Sequence, residues 1–184
     1  MVSSHRALGA VGSLVALLLA TAAGASPAPT APHIAVMAFE LNDLTLDPRT
    51  PEELERTASI KPLLEETLNR EQIAQLVSVT AEAEAANVAV GYLFERPQEL
   101  AAVGQTLEAD YAVVGKVHKP SFLFVYLLVR MVEVKSGRWV GDYTLEIKGP
   151  QERLTRRAVE RLAERIDRTV ANVEGRGSTP LEGS

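Results

Sequence analysis

Apolar and polar positions change their spacing several times along the chain, and each change marks an element. Residues 33–40, HIAVMAFE, form a run of apolar and β-favouring side chains that reads as a first, buried strand. LNDLTLDPRTP follows as a loop in which Thr50 is placed to cap a helix, Glu53 completes a capping box and Pro51 takes the first helical position. In PEELERTASIKPLLEETLNR the residues Leu54, Ala58, Leu64 and Leu68 fall near one face, while Pro62 predicts a kink or break. Residues 73–79 read as a second strand. After an Ala/Glu-rich stretch and the turn-like GYLFERP comes a second helix, PQELAAVGQTLEA, with Leu100, Val103 and Leu107 in one stripe.

The most apolar interior stretch, residues 111–134, carries Lys116, His118 and Lys119 near its middle. Its first limb alternates, with Tyr111, Val113 and Val117 on one face and Ala112, Val114, Lys116 and His118 on the other, so the charged pair is expected at a frayed strand end. Lys119-Pro120-Ser121 supplies turn chemistry. The second limb has only eight uninterrupted apolar residues before Arg130, against about twenty for a helical span, and reads as a strand from Phe122 buried on both faces. Beyond the loop KSG, Trp139, Tyr143, Leu145 and Ile147 alternate with Arg138, Asp142, Thr144, Glu146 and Lys148, which completes an antiparallel meander. The last helix repeats apolar residues at Leu154, Ala158, Leu162, Ile166 and Val170. Six arginines between Arg153 and Arg168 are mixed with acids on its other face, which is read as solvated rather than as a membrane contact.

The resulting order, β-α-β-α-β-β-β-α, predicts an α/β fold: a mixed sheet with an antiparallel meander and helices packed on it. With 184 residues, 46% hydrophobic, the chain suits one core. The boundaries follow from composition. Residues 1–25 read as a signal peptide, with His5 and Arg6 ahead of an apolar run and Ala23-Gly24-Ala25 offering a cleavage site before Ser26. Residues 26–32 form a Pro/Ala-rich leader, 33–174 a single domain and 175–184 a disordered tail. Cleavage would take one of the 19 basic residues and none of the 24 acidic ones, moving the net charge from −5 to −6, so a nucleic-acid partner is not expected. There is no cysteine, which excludes disulfides, thiolate metal sites and cysteine nucleophiles.

The phrase LEADYAVVGKV, leading into a hairpin whose second strand ends VRMVEVKSGRWVG, is similar to the amino-terminal domain of the periplasmic protein TolB and to CsgG-like domains of curli secretion. Lys135-Ser136 stands where those domains usually carry Asp or Ala followed by Thr. More closely, residues 39–44, 115–124 and 136–138 resemble phrases that recur in a family of exported bacterial proteins catalogued as a domain of unknown function. The resemblance implies a fold and a periplasmic or secreted setting; it implies no reaction.

Candidate chemistry is sparse. His118 and Ser121 could form a nucleophile pair, but no GxSxG surrounds the serine and no acidic orienter is placed by sequence. Asp43, Thr45 and Asp47 have the spacing that opens a calcium loop, yet Pro48 and Leu54 stand where its glycine and glutamate belong, so no metal and no cofactor is expected. What remains is a non-catalytic protein that binds another envelope protein. Its surfaces would be the hairpin tip, Lys116, His118, Lys119, Ser121 and Phe122, and the acidic first loop with Asp43 and Asp47. The alternatives are a small-ligand or metal carrier, which needs a concave apolar pocket, and a small hydrolase, which needs a carboxylate beside His118.

Overall fold

The computed structural model describes residues 30–45, 47–147 and 152–177. The signal segment, residues 26–29 of the leader, Lys148 and the tail beyond residue 177 lie outside them. Six strands make one mixed sheet: β1 (His33–Val36), β2 (Glu40–Asp43), β3 (Gln75–Val77), β4 (Tyr111–Lys119), β5 (Tyr126–Glu133) and β6 (Arg138–Glu146). The order is β3-β1-β4-β5-β6, with β2 also paired to β4. β1 and β3 run parallel to each other and to β4, whereas β4, β5 and β6 form the antiparallel meander read from the sequence.

The expected single first strand is two. β1 ends opposite Val113 and β2 resumes opposite Lys116, so four steps on one side match three on the other. That extra residue is a bulge, and it reverses the parity of the side chains. Ile34 and Val36 point to the same face as Phe39 and Leu41. Ala38, displaced from the ladder, donates its N–H to both Glu84 carboxylate oxygens, and Phe39 lies flat over Gly115, where a Cβ would overlap its ring. Part of the expected first loop is therefore strand β2.

The helices are α1 (Pro51–Arg70), α2 (Ala81–Ala85), α3 (Pro97–Thr106) and α4 (Glu152–Gly177). α1 and α4 cover one face of the sheet over a core that includes Ile60, Leu64, Leu68, Leu127, Val129, Leu162 and Ile166. A second core on the opposite face joins α3 and a 3-10 turn at Leu93–Glu95 to Met37, Leu100, Ala112, Val114 and Val132. The Thr50/Glu53 capping box forms as expected. α1 is not broken at Pro62: Pro62 and Ala58, whose carbonyl loses its usual donor, both sit on the exposed side, where that carbonyl is open to solvent. The buried stripe is also rotated from the expected one, to Thr57, Ile60, Leu64, Thr67 and Leu68, leaving Leu54 and Ala58 outside.

β6 corrects a second expectation. Met131 pairs with Gly141 but Val132 with Trp139, so Val140 is an extra residue. The bulge sends Trp139 to the α3 side, while Tyr143, Leu145 and Ile147 join the α4 side. Tyr143 folds over Gly141 and donates to Thr169 Oγ1 of α4 at 2.8 Å. α4 itself runs through Gly177, three residues into the expected tail. Among the described residues no helix is long and apolar enough to cross a membrane.

Candidate functional site

β4 is paired on both sides to its last residues, His118 with Asn42 and Tyr126, and Lys119 with Asp43. The frayed end expected at Lys116 and His118 is thus a three-stranded region, and β5 starts at Tyr126 rather than Phe122. The six residues between β4 and β5 form the tip instead.

Because successive side chains alternate, the residues read together as a tip part company. Lys116 faces the α3 side, where its Nζ sits 4.0 Å from the centre of the Phe94 ring and 3.6 Å from Glu95. Arg130 stands over the same ring at 4.5 Å, donates to the Phe94 carbonyl at 2.9 Å and pairs with Glu95 and Asp142. Together the two cations clasp the 3-10 turn to the sheet. His118 lies on that face as well, with Nδ1 at 3.1 Å from the Asn42 side-chain amide. The neighbour a hydrolase needs is a carboxylate, and the amide stands there instead; Ser121 Oγ accepts from the Leu123 N–H at 3.3 Å, an interaction within the tip.

Lys119 faces the α1 side and forms a triad. Its Nζ is 3.2 Å from Asp43 and 2.5 Å from Glu53, and the Asp43 side chain is only 3% exposed. Asp43 also accepts from the Thr45 N–H and hydroxyl at 2.8 and 2.7 Å. Burial pushes the Asp43 carboxyl up, but the Thr45 donors and Lys119 outweigh it and hold it below the ordinary carboxylate value. Glu53 is lowered by Lys119 first and by the Thr50 N–H second. Lys119 is raised chiefly by Glu53. The triad ties the end of β2, the end of β4 and the first turn of α1 into one unit. Asp47 is exposed in the following loop and takes no part in it.

On that unit stands an apolar surface that periodicity did not mark. Among the described residues the exposed large apolar side chains are Leu44, Leu54, Val88, Val90, Phe122, Leu123 and Phe124. Their anchors converge. The Leu44 N–H donates to the Lys119 carbonyl at 3.0 Å, Leu54 follows the triad residue Glu53, and Phe122–Phe124 begin three residues after Lys119. Val90 precedes Gly91, whose N–H donates to Glu40 at 2.8 Å. Phe122 and Leu123 are 68% and 81% exposed, and Phe124 stacks on Tyr126 at 6.3 Å. Beside them a groove of about 350 Å³ runs between β2 and α1, lined by Phe39, Leu41, Leu54, Ala58 and Val90 among others. Sequence reasoning named Phe122 alone of this group. The run SFLF was the available signal, but it was absorbed into a strand.

A mixed sheet with helices on both faces and a β4–β6 meander defines the TolB-like α/β class. The chain is similar in fold to TolB from Acinetobacter baumannii at 17% identity and a TM-score of 0.50, over 78% of this chain and 29% of that one. Within that class the chain belongs to the DUF3280 family, described as "Protein of unknown function (DUF2380)", whose profile matches residues 32–166. Two further similar structures are the LpoB C-terminal domain from Salmonella enterica, at 12% identity and a TM-score of 0.45 over 68% of this chain and 88% of that one, and lipoprotein GNA1162 from Neisseria meningitidis, at 15% and 0.46 over 75% and 96%. No curated protein matches the sequence significantly.

Proposed function

We propose that this protein is exported after cleavage before Ser26 and works in the cell envelope as a non-catalytic protein–protein interaction module. The observation that carries the reading is the gathering of five exposed large apolar side chains, Leu44, Leu54, Phe122, Leu123 and Phe124, about the Asp43–Lys119–Glu53 triad, with the Phe122 ring 5.7 Å from Lys119 Nζ. Scattered exposed apolar residues need no explanation, whereas a contiguous group at one end is what an interaction site looks like. The aromatic pair Phe122 and Phe124 supplies the large, low-entropy contact area typical of binding hot spots.

A photo-cross-linking residue placed at Leu123 in the native host tests this, with Gln72, at the far end of α1, as the control. The expected result is a discrete protein adduct from position 123 alone, on a chain whose intact mass begins at Ser26. Equal labelling from both positions, or a chain retaining Met1, would overturn the reading.

A further inference from the structure

We infer that the apolar tip docks into the β2/α1 groove of a second copy of this chain, and reciprocally, so that the module is an isologous dimer. The inference rests on the interaction reading above and names its partner.

Phe122, Leu123 and Phe124 are consecutive exposed residues of the loop between β4 and β5, and Phe122 and Leu123, the more exposed pair, stand far enough out to enter a groove. Residues 120–129 carry no charge, so the tip itself brings no ion into the contact; the charged residues of the groove, Glu40, Arg49 and Lys61, are the ones the contact has to leave in water. A bilayer would also accept the tip, but Asp47, Arg49, Glu52 and Glu55 are exposed at the same end and would have to approach the acyl region with it.

A groove of that kind is present on this chain itself. The groove is wide enough at about 350 Å³ for one or two large side chains, its floor is Phe39 and Leu41, and Leu54 and Val90 stand half out of its walls. One of its sides is β2, which among the described residues pairs with β4 and has no strand on its other edge. Knob and groove lie side by side on one end of one molecule, and a two-fold axis requires just that self-complementarity. Area is consistent as well. Aromatic side chains bury roughly 150–250 Å² each, so the exposed parts of the tip and groove walls from two copies together reach about 1,000 Å², the lower bound for a specific interface.

Sedimentation velocity of the protein as processed by its host, over a concentration series from low micromolar to near-millimolar, tests the inference. Wild type should pass from monomer to dimer. F122S/L123S at the knob and L54D at the groove wall should each weaken association by about tenfold or more, with unchanged circular dichroism. An equimolar mixture of the two variants should associate more tightly than either alone but less tightly than wild type, because one of the two knob-and-groove contacts is intact in the mixed dimer. A wild type that stays monomeric, variants that dimerise as well as wild type, or a mixture that associates no more tightly than either variant alone each overturns the dimer. Co-sedimentation of monomeric wild type with zwitterionic phospholipid vesicles, lost in F122S/L123S, would assign the tip to a bilayer instead. A monomer whose Leu123 still cross-links a different envelope protein would sink this inference and leave the interaction reading standing.

Discussion

Replacing Lys119 with Met tests whether the platform beneath the tip is built on charge. Met keeps the aliphatic stem and removes the ammonium, so the change isolates the two ion pairs. Glu53 is 27% exposed and keeps the Thr50 N–H, so it turns to water at little cost. Asp43 is different: at 3% exposure it stays buried with only the Thr45 donors. Charge-assisted hydrogen bonds contribute about 1.5–3 kcal/mol, and a buried carboxylate stripped of its cation adds a desolvation cost, so the expected loss is about 2–3 kcal/mol at neutral pH. Asp43→Asn in the Lys119→Met background should recover part of it by removing the uncompensated charge.

The same triad sets a pH window. Asp43 and Glu53 are held below their ordinary values of 3.8 and 4.5, so their contribution is complete above those values and is lost as pH falls through the depressed ones. Lys119 is raised above 10.5, so its share is complete below that value and is lost as pH rises past the elevated one. Urea unfolding of wild type and variant should therefore show a gap that holds through the neutral range and closes in acid. A penalty within about 0.5 kcal/mol, as for an ordinary surface change, or a gap that does not narrow in acid, would show that Lys119 is solvated and that the tip rests on something else.

Three further substitutions test the sheet by the same unfolding assay. Leu127→Ala empties a fully buried position near the start of β5 and should cost about 2–5 kcal/mol, whereas His118→Ala loses one half-buried contact to Asn42 and should cost about 1 kcal/mol; the reverse order would refute the placement of both. Gly115→Ala drives a Cβ into the Phe39 ring and should cost about 1–3 kcal/mol, with Phe39→Leu in the same chain relieving part of it; an unchanged melting midpoint would mean that Phe39 does not lie on Gly115.

Element order, the meander and the α4 stripe were legible because each rests on a period that local residues repeat. Leu162 and Ile166 announce their burial by spacing, and both are fully buried. The misplacements share one cause, a step that breaks a period without changing composition. Nothing in HIAVMAFE separates a continuous strand from one interrupted at Ala38, because the determinants lie far away, in Glu84 accepting the freed N–H and in Gly115 leaving room for Phe39. Val140 is equally silent. Once it bulges, every residue on its amino-terminal side changes face, and Trp139 leaves Tyr143 for the opposite core. The candidate residues were found as a stretch of sequence, but strand alternation divides them between two faces, a division that the alternation itself contained.

The β1–β2 bulge is also what makes the platform. Were Ala38 paired into the ladder instead of bulged out, Glu40 would stand opposite Val117, and Asp43 would point to the α3 side with Asn42 toward α1. Lys119 would then face Asn42's amide and Glu53 alone, and the buried carboxylate would stand away from its cation. Phe39 and Leu41 would leave the groove floor at the same stroke. A single bulged-out residue therefore accounts both for the charge cluster that holds the tip and for the apolar floor beside it. Both features follow from that one register step, and deleting Ala38, which leaves three steps opposite three between Val36–Val113 and Glu40–Lys116, should straighten the strand while keeping Asp43 opposite Lys119 and the β4–β6 meander paired.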